Sequence, residues 1–209
     1  MDRITRSATH LIAAVTAAAW LLAALLGKSG EAALALGFIP LRLSGGTVPW
    51  AAAPAVLTPL TATVVHSGLI HLGFNLLVFL WCGAAVERVL GKASLLTLYL
   101  VGAYAAALAQ WAVDPTGAVP MVGASGAISA VIGAFALSFG RARQITRSPA
   151  LNRWINAAWL LAAWVVLQYL MGWLAGGEGY LLATPAHVGG FAAGLLLQRP
   201  LLLWRYRNA

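Results

Sequence analysis

The sequence predicts an all-α polytopic membrane protein, with six helices crossing the bilayer and both ends of the chain on the cytoplasmic side. Three observations lead there. Of the 209 residues, 61% are hydrophobic and only 9% charged, whereas soluble domains are about half apolar and about a quarter charged. Six apolar segments each approach the ~20 residues that a helix needs to cross ~30 Å of hydrocarbon. The basic residues, finally, are concentrated in alternate connections, the pattern that orients membrane helices.

The segments run roughly over 8–26, 63–83, 93–113, 125–140, 155–174 and 184–204. Unpaired backbone is costly in lipid, so each is expected to be a helix. Arg3 and Arg6 ahead of the first, and Ala33-Leu34-Ala35 after it, resemble a secretory signal. Because the apolar core is followed at once by Gly27-Lys28 and the small-residue site lies far beyond, the segment is read as a retained helix. With six crossings, one side collects Arg3, Arg6, Arg88, Lys92, Arg141, Arg143, Arg147, Arg153, Arg199, Arg205 and Arg207, against Lys28 and Arg42 on the other. The richer side is cytoplasmic. The formal net charge of +8 thus follows from topology and calls for no nucleic-acid partner. The lone Cys82 lies in an apolar run and reads as a small core residue.

The connection from Gly27 to Ala62 is long and holds Phe38-Ile39-Pro40-Leu41 and Val48-Pro49-Trp50, so a structured element at the membrane surface is expected there. Asp114-Pro115-Thr116-Gly117 is a turn signal, and Gly176-Gly177-Glu178-Gly179 reads as a mobile last loop. There is no internal repeat, and the chain reads as a single membrane domain.

Polar side chains inside a bilayer are expensive, so those retained mark candidate function. Ser125 lies 16 residues before Arg141, His71 17 before Arg88, and His187 18 before Arg205. At ~1.5 Å per residue these are heights of about 24, 26 and 27 Å above the inner boundary, one layer just inside the outer boundary. Counting from Arg199 instead would lower His187 to about 18 Å, but Trp204 beside Arg205 favours the longer count. Asn75 lies one turn deeper than His71 on the same face.

Packing is the competing explanation. Ser125, Ser129 and Gly133 form one small-residue stripe, and Gly190 and Gly194 another, the usual device for close helix approach in membranes. His187, one turn before Gly190, favours chemistry at Ser125, since the same approach brings an imidazole to the hydroxyl. A serine with a neighbouring histidine is a nucleophile with its general base. No carboxylate is placed to complete a triad: Glu87 is at the inner end, Asp114 and Glu178 are in outer loops, and Asp2 and Glu31 are farther away. Ser125 also opens its helix, where free backbone N–H groups and the helix dipole favour an anion. Gly123 and Gly126 admit a substrate backbone, and His71 and Asn75 either add donors to an oxyanion hole or bond between helices to hold the fold. His66 is equally open to a structural or a functional role, and His10 is interfacial. A zinc site from His66, His71 and His187 is disfavoured, because residues five apart on a helix splay by about 140° and no His-Glu-x-x-His pattern occurs. No metal or other cofactor is expected.

The segment His66-Ser67-Gly68-Leu69-Ile70-His71-Leu72-Gly73-Phe74-Asn75, followed by Val86-Glu87-Arg88-Val89-Leu90-Gly91, Gly123-Ala124-Ser125-Gly126 and Ala186-His187-Val188-Gly189-Gly190 leading to Gly194, resembles the rhomboid intramembrane serine proteases. The likeness covers about His66 to Leu197. It implies Ser125 as nucleophile, His187 as base, and His71, Asn75 and the Ser125 N–H as oxyanion hole. It also implies transmembrane protein substrates, and the fifth helix and last outer loop as gate and cap. Two departures stand out. Leu57-Thr58 occupies the place of a tryptophan-arginine pair that anchors the first outer loop in many members. Ser129 stands where many bacterial members carry a tyrosine against the catalytic histidine. The alternative is a noncatalytic rhomboid-like protein that binds membrane clients, but relatives of that kind usually lack the serine or the histidine. A transporter would need a charged intramembrane path or inverted repeats. Alanine-rich helices and the short core point to a bacterial inner membrane, with the site opening on its outer face.

Overall fold

The structure, a computed structural model, describes residues 7–139, 144–174 and 183–208, without the side chains at 171, 172 and 174. It is helical, with α1 (Ala8–Leu25), α2 (Ser29–Leu36), α3 (Pro40–Leu43), α4 (Thr58–Thr61), α5 (Leu69–Leu90), α6 (Lys92–Val113), α7 (Ser125–Phe139), α8 (Pro149–Leu174) and α9 (Thr184–Arg205). The helices α1, α5, α6 and α8 are long and apolar enough to cross a membrane. Many of their large exposed side chains are apolar, among them Leu11, Leu22, Trp81, Leu100, Trp159 and Trp173, as expected where lipid rather than water covers the surface.

Two boundaries differ from the expected ones. The second apolar segment was expected over 63–83, but α5 starts at Leu69 and continues to Leu90. Residues 62–64 form a single 3-10 turn and Val65 is extended, so His66 precedes the helix. At the other end, helical bonding carries Glu87 and Arg88 with it, Arg88 Nε bonding back to the Ala84 carbonyl. The fifth segment begins at Pro149 rather than 155. Ser148 caps it, its hydroxyl accepting from Leu151 N, and proline suits a first helical turn because its missing N–H is not needed there. The sequence Gly176-Gly177-Glu178-Gly179 lies outside the described residues, as do Asp2, Arg3, Arg6, Arg141 and Arg143.

The helix α7 has 15 residues, about 22 Å of rise, and most of its side chains are buried. It is enclosed by α5, α6, α8 and α9. Small residues make this possible. A Cβ on Gly190 would collide with the Gly126 carbonyl, and one on Gly194 with the Ala130 carbonyl. A Cβ on Gly126 would come 2.6 Å from Ala106 of α6. Dispersion between backbones at such range is the main attraction open to helices in lipid. Around this axis the core includes Phe79, Cys82, Val86, Leu95, Leu98, Ile128, Val131 and Phe191.

The connection between α1 and α5 is structured, as its apolar pieces suggested. Among the described residues no tryptophan-arginine pair holds it, and backbone carbonyls supply most of the acceptors instead. Phe38 and Met121 pair in an antiparallel bridge, N to O at 2.9 and 2.7 Å. Arg42 Nη2 donates to the Ala53 carbonyl at 2.7 Å, Trp50 Nε1 to Leu34 at 3.0 Å, and Tyr104 Oη to Val56 at 3.0 Å. Thr58, at the place of the missing pair, is buried and donates to the Ala55 carbonyl at 2.6 Å.

The helix α1 is fastened by one carboxylate. Glu87 of α5 accepts from Ser7 Oγ, Ala8 N, Thr9 N and Thr9 Oγ1 at 2.8, 2.8, 2.9 and 2.6 Å. It therefore serves N–H groups that no helical carbonyl can reach and places negative charge at the positive end of the helix dipole. Replacing Glu87 with Ala is expected to cost about 1–3 kcal/mol, and Glu87→Gln less, measured by unfolding of the purified chain in detergent; equal stability of Glu87→Ala and wild type would contradict this anchoring role.

Candidate active site

The N-terminus of α7 is set by the segment that leads into it. Gly123 has φ of +112°, a conformation side-chain-bearing residues rarely adopt, and a Cβ there would meet the His71 ring at 2.7–2.8 Å. Its N–H donates to the Ala62 carbonyl at 2.9 Å, and the bridge to Phe38 holds Met121 just before it. The next N–H, of Ala124, points at His66 Nε2 at 3.5 Å. The first intrahelical bond is Ile128 N to Ala124 O, so the N–H groups of Ser125, Gly126 and Ala127 precede any helical partner.

Here Ser125 meets His187. The imidazole Nε2 lies 2.8 Å from Ser125 Oγ, and both residues are buried, Ser125 at 8% exposure and His187 at 4%. The serine comes from the first turn of α7 and the histidine from the first turn of α9, brought together because Gly190, one turn beyond His187, lies against the Gly126 carbonyl. His71 stands over Gly123 and is bonded through Nδ1 to Ser67 Oγ at 3.0 Å. Asn75 donates one amide hydrogen to the His71 carbonyl at 2.9 Å; an amide nitrogen has a second.

His66 holds the loop rather than touching the pair. Its ring meets that of His71 edge to face, with centroids 4.9 Å apart. The expected 140° splay does not apply, because His66 precedes α5 and is free of its helical geometry. His187 lies with Ser125 instead, and among the described residues no three His, Cys, Asp or Glu side chains gather as a metal would require.

Two residues of the site come from α8, where the sequence reading assigned only a gate. Trp164 donates its indole N–H to Ser129 Oγ at 2.8 Å, and Ser129 donates onward to the Ser125 carbonyl at 2.7 Å. The Trp164 ring also stands edge-on to His187, 6.2 Å between centroids, and stacks on Phe74 at 5.7 Å. Four residues after Ser125 this chain has a small hydroxyl, Ser129, that receives a tryptophan from another helix. One turn farther along α8, the side-chain amide of Gln168 lies 3.5 Å from His187 Nε2. Gln168 is a polar residue within an apolar segment, the same signal that marks Ser125 and His187.

The buried serine-histidine contact thus joins two closely packed helices, α7 and α9. The rhomboid domain profile matches residues 53–204, and the chain belongs to the rhomboid family. It is an integral membrane protein with several membrane-spanning helices. It is 30% identical over 172 residues to the rhomboid protease GlpG of Pectobacterium atrosepticum, covering 77% of this chain and 56% of that protein. Over 75 residues it is 40% identical to the rhomboid protease GluP of Bacillus subtilis, 36% of this chain and 14% of the other. It is 29% identical over 139 residues to RHOMBOID-like protein 5 of Arabidopsis thaliana, 66% of this chain and 42% of that protein. The chain thus spans only 56%, 14% and 42% of the length of these three relatives.

Removing one partner of a buried hydrogen bond costs more than removing both, because the survivor loses water and gains nothing. Ser129→Ala should therefore cost about 1–3 kcal/mol by stranding the Trp164 N–H, and Trp164→Phe in that background should recover part of it. Unfolding of the single and double variants in one detergent checks this; strictly additive losses would mean that the two groups are not coupled.

Proposed function

We propose that the chain is an intramembrane serine endopeptidase that cleaves membrane-anchored proteins in or beside their transmembrane segments with a Ser125–His187 dyad. The observation that carries this reading is the 2.8 Å contact between Ser125 Oγ and His187 Nε2, within a chain of the rhomboid family.

The chemistry follows from the positions. Ser125 Oγ attacks the scissile carbonyl carbon while its proton passes to His187 Nε2. The oxyanion forms beside the free N–H groups at the start of α7, where the helix dipole also favours it. His71 above Gly123 and the second amide hydrogen of Asn75 are the side-chain donors. The imidazolium then protonates the departing amine, and water enters to release the acyl group by the same steps in reverse order of roles. Among the described residues no carboxylate lies at the pair, and the mechanism is that of a dyad. Both reacting side chains are buried, so substrate and water reach them by displacement of a covering element, and α8, which lays Trp164 and Gln168 against the pair, is the element that gates it. Small residues around Ser125, with Gly123 and Gly126 on either side, suit a substrate chain that approaches backbone first.

The proposed topology has six crossings with both termini in the cytoplasm, α7 and α9 joining α1, α5, α6 and α8, in a bacterial inner membrane with Ser125 facing the periplasmic side. The distribution of basic residues supports this orientation. Fusion of a reporter active only in the cytoplasm to the C-terminal end should be active, and fusion of a reporter active only in the periplasm after Asp114 should be active as well; the opposite pattern refutes the orientation.

For activity, a fluorophosphonate should label wild type covalently and leave Ser125→Ala unlabelled. Cleavage of a transmembrane reporter by Ser125→Ala should fall by many orders of magnitude, and Asn75→Ala should lower it by about 10²–10³-fold. A client-binding protein without catalysis would remain unlabelled while still co-purifying with membrane proteins, and Ser125→Ala cleaving at the wild-type rate would end the proposal.

A further inference from the structure

A serine-histidine pair without a carboxylate leaves one physical question open, namely what holds the imidazole. In a triad the third residue bonds the ring nitrogen that does not face the nucleophile. Here that nitrogen, Nδ1 of His187, is buried and has no hydrogen-bond partner among the described residues. The acidic side chains that the structure describes are engaged or distant: Glu87 holds the start of α1, Glu31 pairs with Lys28 at 3.1 Å, and Asp114 sits in the turn with Gly117. Apart from Ser125, the side chain within hydrogen-bond reach of the His187 ring among the described residues is Gln168.

Gln168 is 6% exposed and belongs to a helix whose other faces are apolar and outward, with Val166, Tyr169 and Leu170 exposed beside it. A glutamine turned inward at this depth is costly unless its amide is used. It lies at the same nitrogen that Ser125 faces, which distinguishes it from a triad residue.

We infer that Gln168 is a positioning residue for His187, its side-chain amide holding Nε2 toward Ser125 in both protonation states of the ring. At rest, Nε2 is an acceptor that takes the Ser125 O–H, and the Gln168 N–H lies against the same lone pair. Once the proton has moved, Nε2 is a donor, while Oγ has become bonded to the substrate carbon and is a poorer acceptor. A half-turn of the amide then presents Oε1, since an amide carries a donor at one end and an acceptor at the other. The N–H thereby keeps a partner within the site until the leaving nitrogen takes its proton. No covalent bond to Gln168 forms, and the proton count is that of the dyad alone. Trp164 supplies the complementary restraint, its ring edge-on to the imidazole, so both restraints on His187 arrive together on one face of α8.

This inference rests on the reading of Ser125 and His187 as a catalytic pair, and saturation kinetics of fluorophosphonate labelling separate the two. With the full chain in detergent, Gln168→Met, which keeps the length and removes the amide, should lower kinact about 10- to 100-fold, the loss expected for a hydrogen bond to a charged group. The inhibitor's KI should stay within about twofold, and Gln168→Glu, isosteric and with an acceptor oxygen, should keep kinact above that of Gln168→Met. Variants are compared at equal folded fraction, read from thermal unfolding in the same detergent. Wild type left unlabelled overturns the dyad itself. Wild type labelled, with Gln168→Met at the same kinact or with a loss confined to KI, overturns the role of Gln168 alone, as does Gln168→Glu no faster than Gln168→Met.

Discussion

The contact of backbone with backbone between α7 and α9 is the constraint on which everything else in the molecule depends. Where Gly190 lies on the Gly126 carbonyl and Gly194 on that of Ala130, the helices are as near as polypeptide allows. Helices of ordinary composition sit about 8–10 Å apart, which would leave Ser125 and His187 at the two sides of a gap. Here the missing side chains are what make the site.

Much of this was legible from the chain. The apolar segments gave the helices, and the small-residue stripes pointed to the close approach that sets His187 2.8 Å from Ser125. The resemblance then ordered them. What was not legible had physical causes. The start of α5 was misjudged because Thr63, Val64 and Val65 are as apolar as a helix interior, whereas the decisive influence is tertiary: Gly123 N bonds to Ala62 O and pins that segment as a turn. The anchoring of the first long connection was invisible because carbonyl groups carry it, and carbonyls are the same in every sequence. Trp164 was hidden in a helix with several tryptophans, of which Trp154, Trp159 and Trp173 are exposed. Only the packing tells the inward one from the others.

The site is braced from across the bundle: Trp164 stands beside His187, and the Ser129 hydroxyl is the point at which that tryptophan is bonded. The same hydroxyl bonds back to the Ser125 carbonyl, so the covering helix, the helix of the serine and the imidazole form a continuous set of contacts. A shift of α8 is therefore felt at the pair directly, through two side chains one turn apart. His66 and the bridge at Phe38 and Met121 do the equivalent work on the opposite side, fixing the loop that delivers Ser125.

The solitary thiol of Cys82 is sealed within the core, at 3% exposure. Maleimide dyes and spin labels consequently find a silent background in the folded protein. A cysteine introduced on the outward face of α8, together with one on α5, would carry a spectroscopic pair without further engineering of the chain, and the separation of those two helices becomes a quantity that can be followed in time.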